Sequence, residues 1–273
     1  MSARIAIIAG AGRFPFHVAQ EAKRQGTSVT AFGIRGWADA SLASEVDTYE
    51  EIAVGQLGRL IERLKSCGAR EAIMAGKVTK EVLFDQRTSF DAEALGLLQH
   101  VNDFSVASVL GAIGKRLATE GITLLDSSTY LKANLCPEGV LSARAPSAVE
   151  QEDIRIGTQA ARMLATLDIG QTVVVKGRVV VALEALEGTD AAIRRAHTLA
   201  GEGLVVVKMA APNQDRRFDL PLIGPATIAT LRDSGVSCLA VEAGTTVLLD
   251  REALVTAANA SHMCLVGILP TPT

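Results

Sequence analysis

Between Arg4 and Gly12 the chain reads RIAIIAGAG, a run with almost no polar face that ends on two closely spaced glycines. A strand that is apolar on both sides must be covered on both sides, and helices on the two faces of a parallel sheet are the usual cover. The residues that follow carry that pattern on. Phe14 to Gln25 has helical spacing and stops at Gly26, and Thr27 to Gly33 is a second apolar run. Gln56 to Ser66 carries Leu57, Leu60, Ile61 and Leu64 on one helical face, and Glu71 to Ala75 is another strand, leading into Gly76. A helical region rich in Leu and Val runs from Ala92 to Glu120 before the strand Ile122 to Leu125. Strands separated by helices imply right-handed crossovers. Residues 1–134 are therefore expected to form a Rossmann-like α/β domain.

From Leu135 to Ala148 the chain reads LCPEGVLSARAPSA, with two prolines and little periodicity, so residues 135–148 are the expected linker. Residues 149–273 then mix hairpins and crossovers. A helix from Val149 to Leu167 is followed by TVVVKGRVVVALEAL, two β-branched runs around a tight turn at Lys176, Gly177 and Arg178. A helix opened by Thr189 and Asp190, the strand Leu204 to Met209, a polar loop, and a helix starting at Pro225 come next. The strands Cys238 to Val241, Val247 to Leu249 and Met263 to Leu269, with a helix from Arg251, complete an expected α/β domain with a mixed sheet.

At 273 residues the chain has room for two cores, and 48% hydrophobic against 4% aromatic residues suits α/β layers more than a β-sandwich. A net charge of −3 without a basic run argues against a nucleic-acid partner. Cys67, Cys136, Cys238 and Cys264 have no metal-site spacing and read as free thiols in a reducing compartment. No run approaches the ~20 apolar residues of a membrane span, so a soluble protein, or one resting on a membrane surface, is expected.

Three stretches invite chemistry. AGAGRFP, Ala9 to Pro15, turns a strand into a helix, and Gly10, Ala11 and Gly12 suit the approach of phosphate to a helix N-terminus. Pro15 replaces the third fingerprint glycine and the second strand ends Phe32-Gly33-Ile34 without an acid, which argues against NAD. The turn could equally serve helix–sheet packing, and Gly76-Lys77 after a later strand is similarly a phosphate contact at the switch-point edge of the sheet or just a loop lysine. In ALEALEGTDAAI, the acids Glu184, Glu187 and Asp190 gather with Gly188 and Thr189 near a helix start, where carboxylates hold Mg²⁺ or the turn merely caps the helix. Gln214 to Asp219, QDRRFD, interleaves Asp215, Arg216, Arg217 and Asp219 after a buried strand, a place for a metal and a phosphoryl oxygen or simply a charged surface loop. His17, His100, His197 and His262 have no catalytic spacing and read as structural.

IAGAGRFP, AGKV at Ala75 to Val78, LLD at Leu124 to Asp126, KGRVVVALEALEGTDAAIRRA and VVVKMAAPNQDRRFDLPLIGP together resemble the UDP-2,3-diacylglucosamine pyrophosphatases of the alphaproteobacterial lipid A pathway, a type unrelated to calcineurin-like phosphoesterases. The resemblance covers nearly the whole chain. It implies two domains and hydrolysis of the pyrophosphate of UDP-2,3-diacylglucosamine to UMP and 2,3-diacylglucosamine 1-phosphate with Mg²⁺ or Mn²⁺. It also implies metal ligands among Glu187, Asp190 and Asp219, a catalytic carboxylate at Asp215 or Asp219, and phosphate contacts from Gly10, Ala11, Gly12, Gly76, Lys77, Lys176, Gly188, Thr189, Lys208, Arg216 and Arg217.

The family pattern Gly-Pro-Asp-Thr stands here as Gly224-Pro225-Ala226-Thr227. Ala226 occupies the family's acidic position. The simplest reading is a substitution of Asp by Ala made to trap substrate or product, with natural drift as the alternative, and it leaves a chain that binds but does not turn over. A lipid substrate further implies a cytoplasmic protein in peripheral contact with the inner membrane, with Leu83, Phe84 and Phe90 as candidate contacts; homodimerisation is left open. The rival reading is a non-catalytic protein that binds a nucleotide sugar or lipid.

Overall fold

The computed structural model describes residues 3–78, 88–101, 103, 106–211, 214–218 and 220–269. The chain divides into two compact units. Met1–Lys132 with Asp215–Asp219 form the first, and Ala133–Gln214 with Leu220–Thr273 form the second.

In the first unit, β1 (Arg4–Ala9), α1 (Phe14–Arg24), β2 (Ser28–Ile34), β3 (Thr48–Ile52), α2 (Leu57–Ser66), β4 (Glu71–Ala75), α3 (Ala92–Leu98), α4 (Val106–Thr119) and β5 (Thr123–Leu124) follow in order. Five parallel strands lie in the order β3-β2-β1-β4-β5, so the order reverses between β1 and β4. The Rossmann-like expectation holds. Leu57, Leu60, Ile61 and Leu64 of α2 pack with Ala6, Ile8, Phe32 and Ala72, while Ile5 and Ile7, equally buried, alternate to the opposite face of β1.

Two elements differ from the sequence expectation. β3 is TYEEI, too polar to read as a strand because it is the sheet's edge and buries fully only Ile52. The region from Ala92 is two helices, the first of them capped by Asp91, whose carboxylate accepts from Ala94 N–H at 2.8 Å.

The second unit contains β6 (Gly139–Val140), α5 (Ala148–Thr166), β7 (Thr172–Lys176), β8 (Val179–Leu183), α6 (Thr189–Ala200), β9 (Leu204–Lys208), β10 (Leu222–Ile223), α7 (Pro225–Asp233), β11 (Val236–Glu242), β12 (Val247–Leu248), α8 (Arg251–Ala260) and β13 (Cys264–Ile268). A six-stranded sheet runs β6-β13-β11-β9-β7-β8, parallel through β13, β11 and β9 and antiparallel at β6, β7 and β8. The expected mixed sheet is present.

Its strands are apolar on both faces for a reason. Val173, Val175, Val205, Val207, Cys238, Ala240 and Cys264 form one core with Ala161 and Leu164 of α5. The alternate residues Val174, Leu204, Val206, Leu239, Val241 and Leu265 form another with Ile193 of α6, Ile228 and Leu231 of α7 and Leu254 of α8. Gly157 lets α5 approach, since a Cβ there would meet Val207 at 2.5 Å. The turn between β7 and β8 is a two-residue hairpin with positive φ at Gly177 (56°) and Arg178 (68°), the geometry that follows the twist of the strands. Buried Asp153 of α5 fixes it, accepting from both turn N–H groups.

The stretch read as a linker contributes β6 and an anchor. Arg144 makes two hydrogen bonds with Glu150, at 2.8 and 2.7 Å, and a third with the His262 carbonyl at 2.6 Å. Ser147 and Glu150 form a capping box at the start of α5. The four cysteines are free, and Cys67 is the one that is not fully buried. Among the described residues no helix is long and apolar enough to cross a membrane.

Candidate functional site

On the first unit, polar groups gather at the carboxyl ends of the strands, where the reversal of strand order opens a crevice in folds of this kind. The turns after β1 and β4 are zipped together. Gly10 N–H donates to the Ala75 carbonyl at 2.8 Å, and Ala11 and Lys77 exchange N–H···O=C bonds at 2.9 and 3.0 Å. A Cβ on Gly10 would stand 2.7 Å from the Lys77 carbonyl oxygen, and one on Gly76 2.7 Å from that of Ala11. Gly10 and Gly76 thus serve loop packing. Gly12, at φ 94° with open space around it, supplies only the turn. Beside it α1 starts without a side-chain cap or an acid in its first turn, but Pro15 has no N–H and the Phe16 N–H donates to the Arg13 carbonyl at 3.1 Å, so this helix start offers an anion fewer N–H groups than an ordinary one.

The same edge receives residues Asp215–Phe218 from far along the chain. Ser127 N–H donates to the Arg216 carbonyl at 2.9 Å, Arg216 pairs with Asp126 at 3.1 Å and donates to Ser128 Oγ at 2.9 Å, and Phe218 packs on the core. Asp126 entered the sequence reading only as the end of the LLD motif, and Ser127 and Ser128 not at all, because their partners lie far along the chain, 90 residues in the case of Ser127 and Arg217.

Asp215, expected to be a catalytic acid, is held by Arg217 through bonds of 2.9 and 2.6 Å. That guanidinium keeps the carboxyl below its ordinary range, which makes Asp215 a poor proton acceptor near neutrality. The pair's geometry points to a role in aiming Arg217. Asp219 lies outside the described residues, as do Leu83 and Phe84; Phe90 packs against the first unit's core.

On the second unit the Thr172, Glu184, Thr189 and Lys208 side chains converge at the carboxyl end of β9. Lys208 Nζ donates to Thr189 Oγ1 at 3.0 Å, Thr189 Oγ1 donates to Glu184 Oε1 at 2.8 Å, and Gln171 N–H donates to Glu184 Oε2 at 3.2 Å. Burial raises the Glu184 pKa, but the Lys208 ammonium and these donors prevail and hold it below the ordinary value. Lys208 is 8% exposed, and the Thr189 hydroxyl holds its Nζ beside the N-terminus of α6. At the same edge Arg162 reaches Glu242 at 3.3 Å and the Ala210 carbonyl at 3.1 Å.

Two expected residues fall elsewhere. Lys176 stands at the other end of β7 from Thr172, roughly 13 Å along the strand, and donates to the Ala200 carbonyl at 2.6 Å, closing the C-terminus of α6. Glu187 pairs with Arg195 at 2.9 Å on the surface. Gly188, at φ 84°, is the N-cap of α6, and Asp190 lies in its first turn. Asp190 and Ala226 line one groove of about 540 Å³ between α6 and α7. Among the described residues no three His, Cys, Asp or Glu side chains are grouped to hold a metal.

A Rossmann-like parallel unit and a mixed α/β unit, each with cations and uncapped helix starts at the carboxyl ends of its strands, define a two-unit α/β protein suited to anionic ligands. Family models for the LpxI N-terminal domain and the LpxI C-terminal domain match residues 4–134 and 137–266. This chain belongs to the LpxI family. The UDP-2,3-diacylglucosamine pyrophosphatase LpxI of Caulobacter vibrioides is 30% identical to it over 284 residues, covering 98% of each chain. Solved structures give only distant likeness: the biotin carboxylase domain of a thermophilic 2-oxoglutarate carboxylase has a TM-score of 0.28 and 12% identity over 64% of this chain and 35% of its own. A biotin carboxylase from Campylobacter jejuni has a TM-score of 0.28 and 13% identity over 73% and 42%. This chain thus spans less than half the length of those two solved chains, and the likeness carries no argument.

Proposed function

We propose that this chain is built as a UDP-2,3-diacylglucosamine pyrophosphatase of lipid A biosynthesis, cleaving the pyrophosphate to UMP and 2,3-diacylglucosamine 1-phosphate, and that Ala226 leaves it without the acid that serves the chemistry. The near full-length identity to the Caulobacter pyrophosphatase carries this reading. Local geometry supports it. The uncapped start of α1, Arg216 and Arg217 on the first unit, and Lys208 and Thr189 on the second, are groups able to meet phosphoryl oxygens.

Mg²⁺ or Mn²⁺ is part of the proposal. Mg²⁺ is commonly held by one or two carboxylates with substrate phosphates and water completing its shell. Asp190, whose Oδ1 is buried and accepts no hydrogen bond among the described residues, fits that demand. Glu187, engaged by Arg195, and Glu184, engaged by Thr189 and Lys208, fit it less well. The metal would neutralise phosphate charge and activate water. Lys208, donating to Thr189 Oγ1, steadies the hydroxyl at the helix start, and the leading N–H groups of α6 orient a phosphoryl group there.

A diacylated substrate further places the protein in the cytoplasm in peripheral contact with the inner membrane. The exposed apolar residues Leu183 and Leu186, next to the Thr189 turn, support that. The second reading, a non-catalytic binder of the nucleotide sugar or lipid, is favoured by Ala226 itself. Both readings predict binding, and restoring the acid separates them. Ala226→Asp should raise Mg²⁺-dependent UMP release from UDP-2,3-diacylglucosamine by a factor on the order of 10² to 10⁴. Absence of turnover with any divalent metal would leave the binder.

A further inference from the structure

Helix α5 has two apolar faces. One, with Gly157, Ala161 and Leu164, lies on the sheet of the second unit. The other carries Val149, Ile156, Ala160, Met163 and, at the C-cap, Leu167. With Asp153 they recur at alternating steps of four and three residues, the spacing of a seam between two helices. Asp153 shows which way this face looks. Its carboxylate takes the Gly177 and Arg178 N–H groups at the turn between β7 and β8, so the face lies on the β8 flank, whereas Arg162 reaches the Ala210 carbonyl on the opposite one. Ile156 and Ala160 are half-buried, but Val149, Met163 and Leu167 are 62%, 69% and 68% exposed, and no element among the described residues covers them. Beside them β8, VVVAL, is the last strand of the sheet, without charge or proline to guard it, and Val179 is exposed.

We propose that this face receives a second copy of the chain, with α5 packed antiparallel against α5 about a two-fold axis. The pattern is self-complementary. With the axis between Ile156 and Ala160, Val149 meets Leu167 of the second copy, Asp153 meets Met163, and Ile156 meets the small Ala160, because the three pairs share one midpoint along the helix. The positive start of each helix then lies beside the negative end of the other. At the far end of β8, Arg195 donates to the Leu183 carbonyl at 2.6 Å and blocks strand pairing there, so the helix seam carries the contact and Val179 borders it. A lipid surface fits this face less well. Helices that lie on anionic membranes are rich in Lys and Arg, whereas α5 sets Glu150, Glu152 and Asp153 against Arg155 and Arg162; Leu183 and Leu186 are not part of the seam. Size sets the strength. The seam runs about 27 Å and is about 10 Å wide, which with the β8 edge falls at or below the low end of stable interfaces, about 800 Å² on each partner. The dimer is therefore expected to be of micromolar strength.

Sedimentation equilibrium of the full chain over roughly 1 to 100 μM, the range in which such a contact fills, should show a monomer passing into a dimer. Met163→Glu, which sets a carboxylate against Asp153 of the second copy, should weaken the dimer at least tenfold, and Met163→Leu should leave it unchanged. Cross-linking reads the register. On a Cys67→Ser background, since Cys67 is the one thiol that is not fully buried, chains carrying Val149→Cys and chains carrying Leu167→Cys should join through a disulfide when mixed and treated with diamide. Leu167→Cys alone should not join to itself, because antiparallel packing holds the two copies of that residue about 27 Å apart. Circular dichroism melting confirms that each variant is folded. A monomer across the whole range, a dimer that Met163→Glu leaves intact, or cross-linking of Leu167→Cys to itself overturns the proposal. So does a chain that stays monomeric and loses vesicle flotation on Met163→Glu, which gives the face to lipid instead.

Discussion

Glu150 offers a test of how the second unit is held together. Its carboxylate takes two bonds from Arg144, at 2.8 and 2.7 Å, and one from Ser147 N–H at 2.8 Å, while the residue is 8% exposed. Burial alone would raise the pKa; the Arg144 guanidinium and the Ser147 donors overcome it and bring the value from 4.5 down to about 2. A displacement of about 2.5 pH units, at 1.36 kcal/mol for each, makes the charged form worth about 3 kcal/mol of stability. A depressed pKa contributes fully above the unfolded value and is lost as pH falls through the folded one. Glu150→Gln should therefore lower stability by about 3 kcal/mol at pH 7, by about 1 kcal/mol at pH 3 and by almost nothing at pH 2. In urea, with slopes of roughly 1 to 3 kcal/mol/M, the midpoint at pH 7 should fall by about 1 to 3 M. Circular dichroism across a urea series at each pH gives the gap directly. A gap at pH 3 as wide as at pH 7, or none at pH 7, refutes the account, because a neutral packing defect would not titrate.

Lys176→Met should leave the affinity for 2,3-diacylglucosamine 1-phosphate unchanged and cost about 1 kcal/mol of stability through the lost bond to Ala200, whereas Lys208→Met should weaken that affinity at least tenfold; calorimetry showing the reverse order would move the phosphate to the other end of the sheet. Leu186→Glu, at a residue 97% exposed, should reduce flotation with vesicles of phosphatidylethanolamine and phosphatidylglycerol while the melting temperature stays within about 1 °C of its starting value; unchanged flotation would remove that surface from the membrane reading.

What could be read from the sequence follows the range of the interaction. Helix α2 was legible because its four leucine and isoleucine positions repeat with the helix period, and the strands of the second unit because they are apolar on both faces. β3 was not, since an edge strand needs no apolar pattern. Among candidate residues, Thr189 was legible in a polar turn and Lys208 only through the family resemblance, and Lys176 looked equivalent until β7 separated it from them by its length. Glu187 and Asp190 lie three residues apart, yet one meets Arg195 and the other opens onto the groove. That Asp190 and Ala226 line one groove depends on how α6 and α7 pack side by side, which no local pattern encodes.

The return of Asp215–Asp219 to the first unit bears on how the protein is made. The N-terminal family match ends at residue 134, and a ribosome that has released Lys132 has delivered every strand of that unit's sheet. Asp126 still lacks Arg216 and the core still lacks Phe218, which emerge about eighty residues later, after most of the second unit's sheet. The carboxyl edge of the first unit, where Arg216 and Arg217 meet Asp126 and Asp215, is thus completed late in synthesis, so a nascent chain acquires its scaffold well before it acquires that edge.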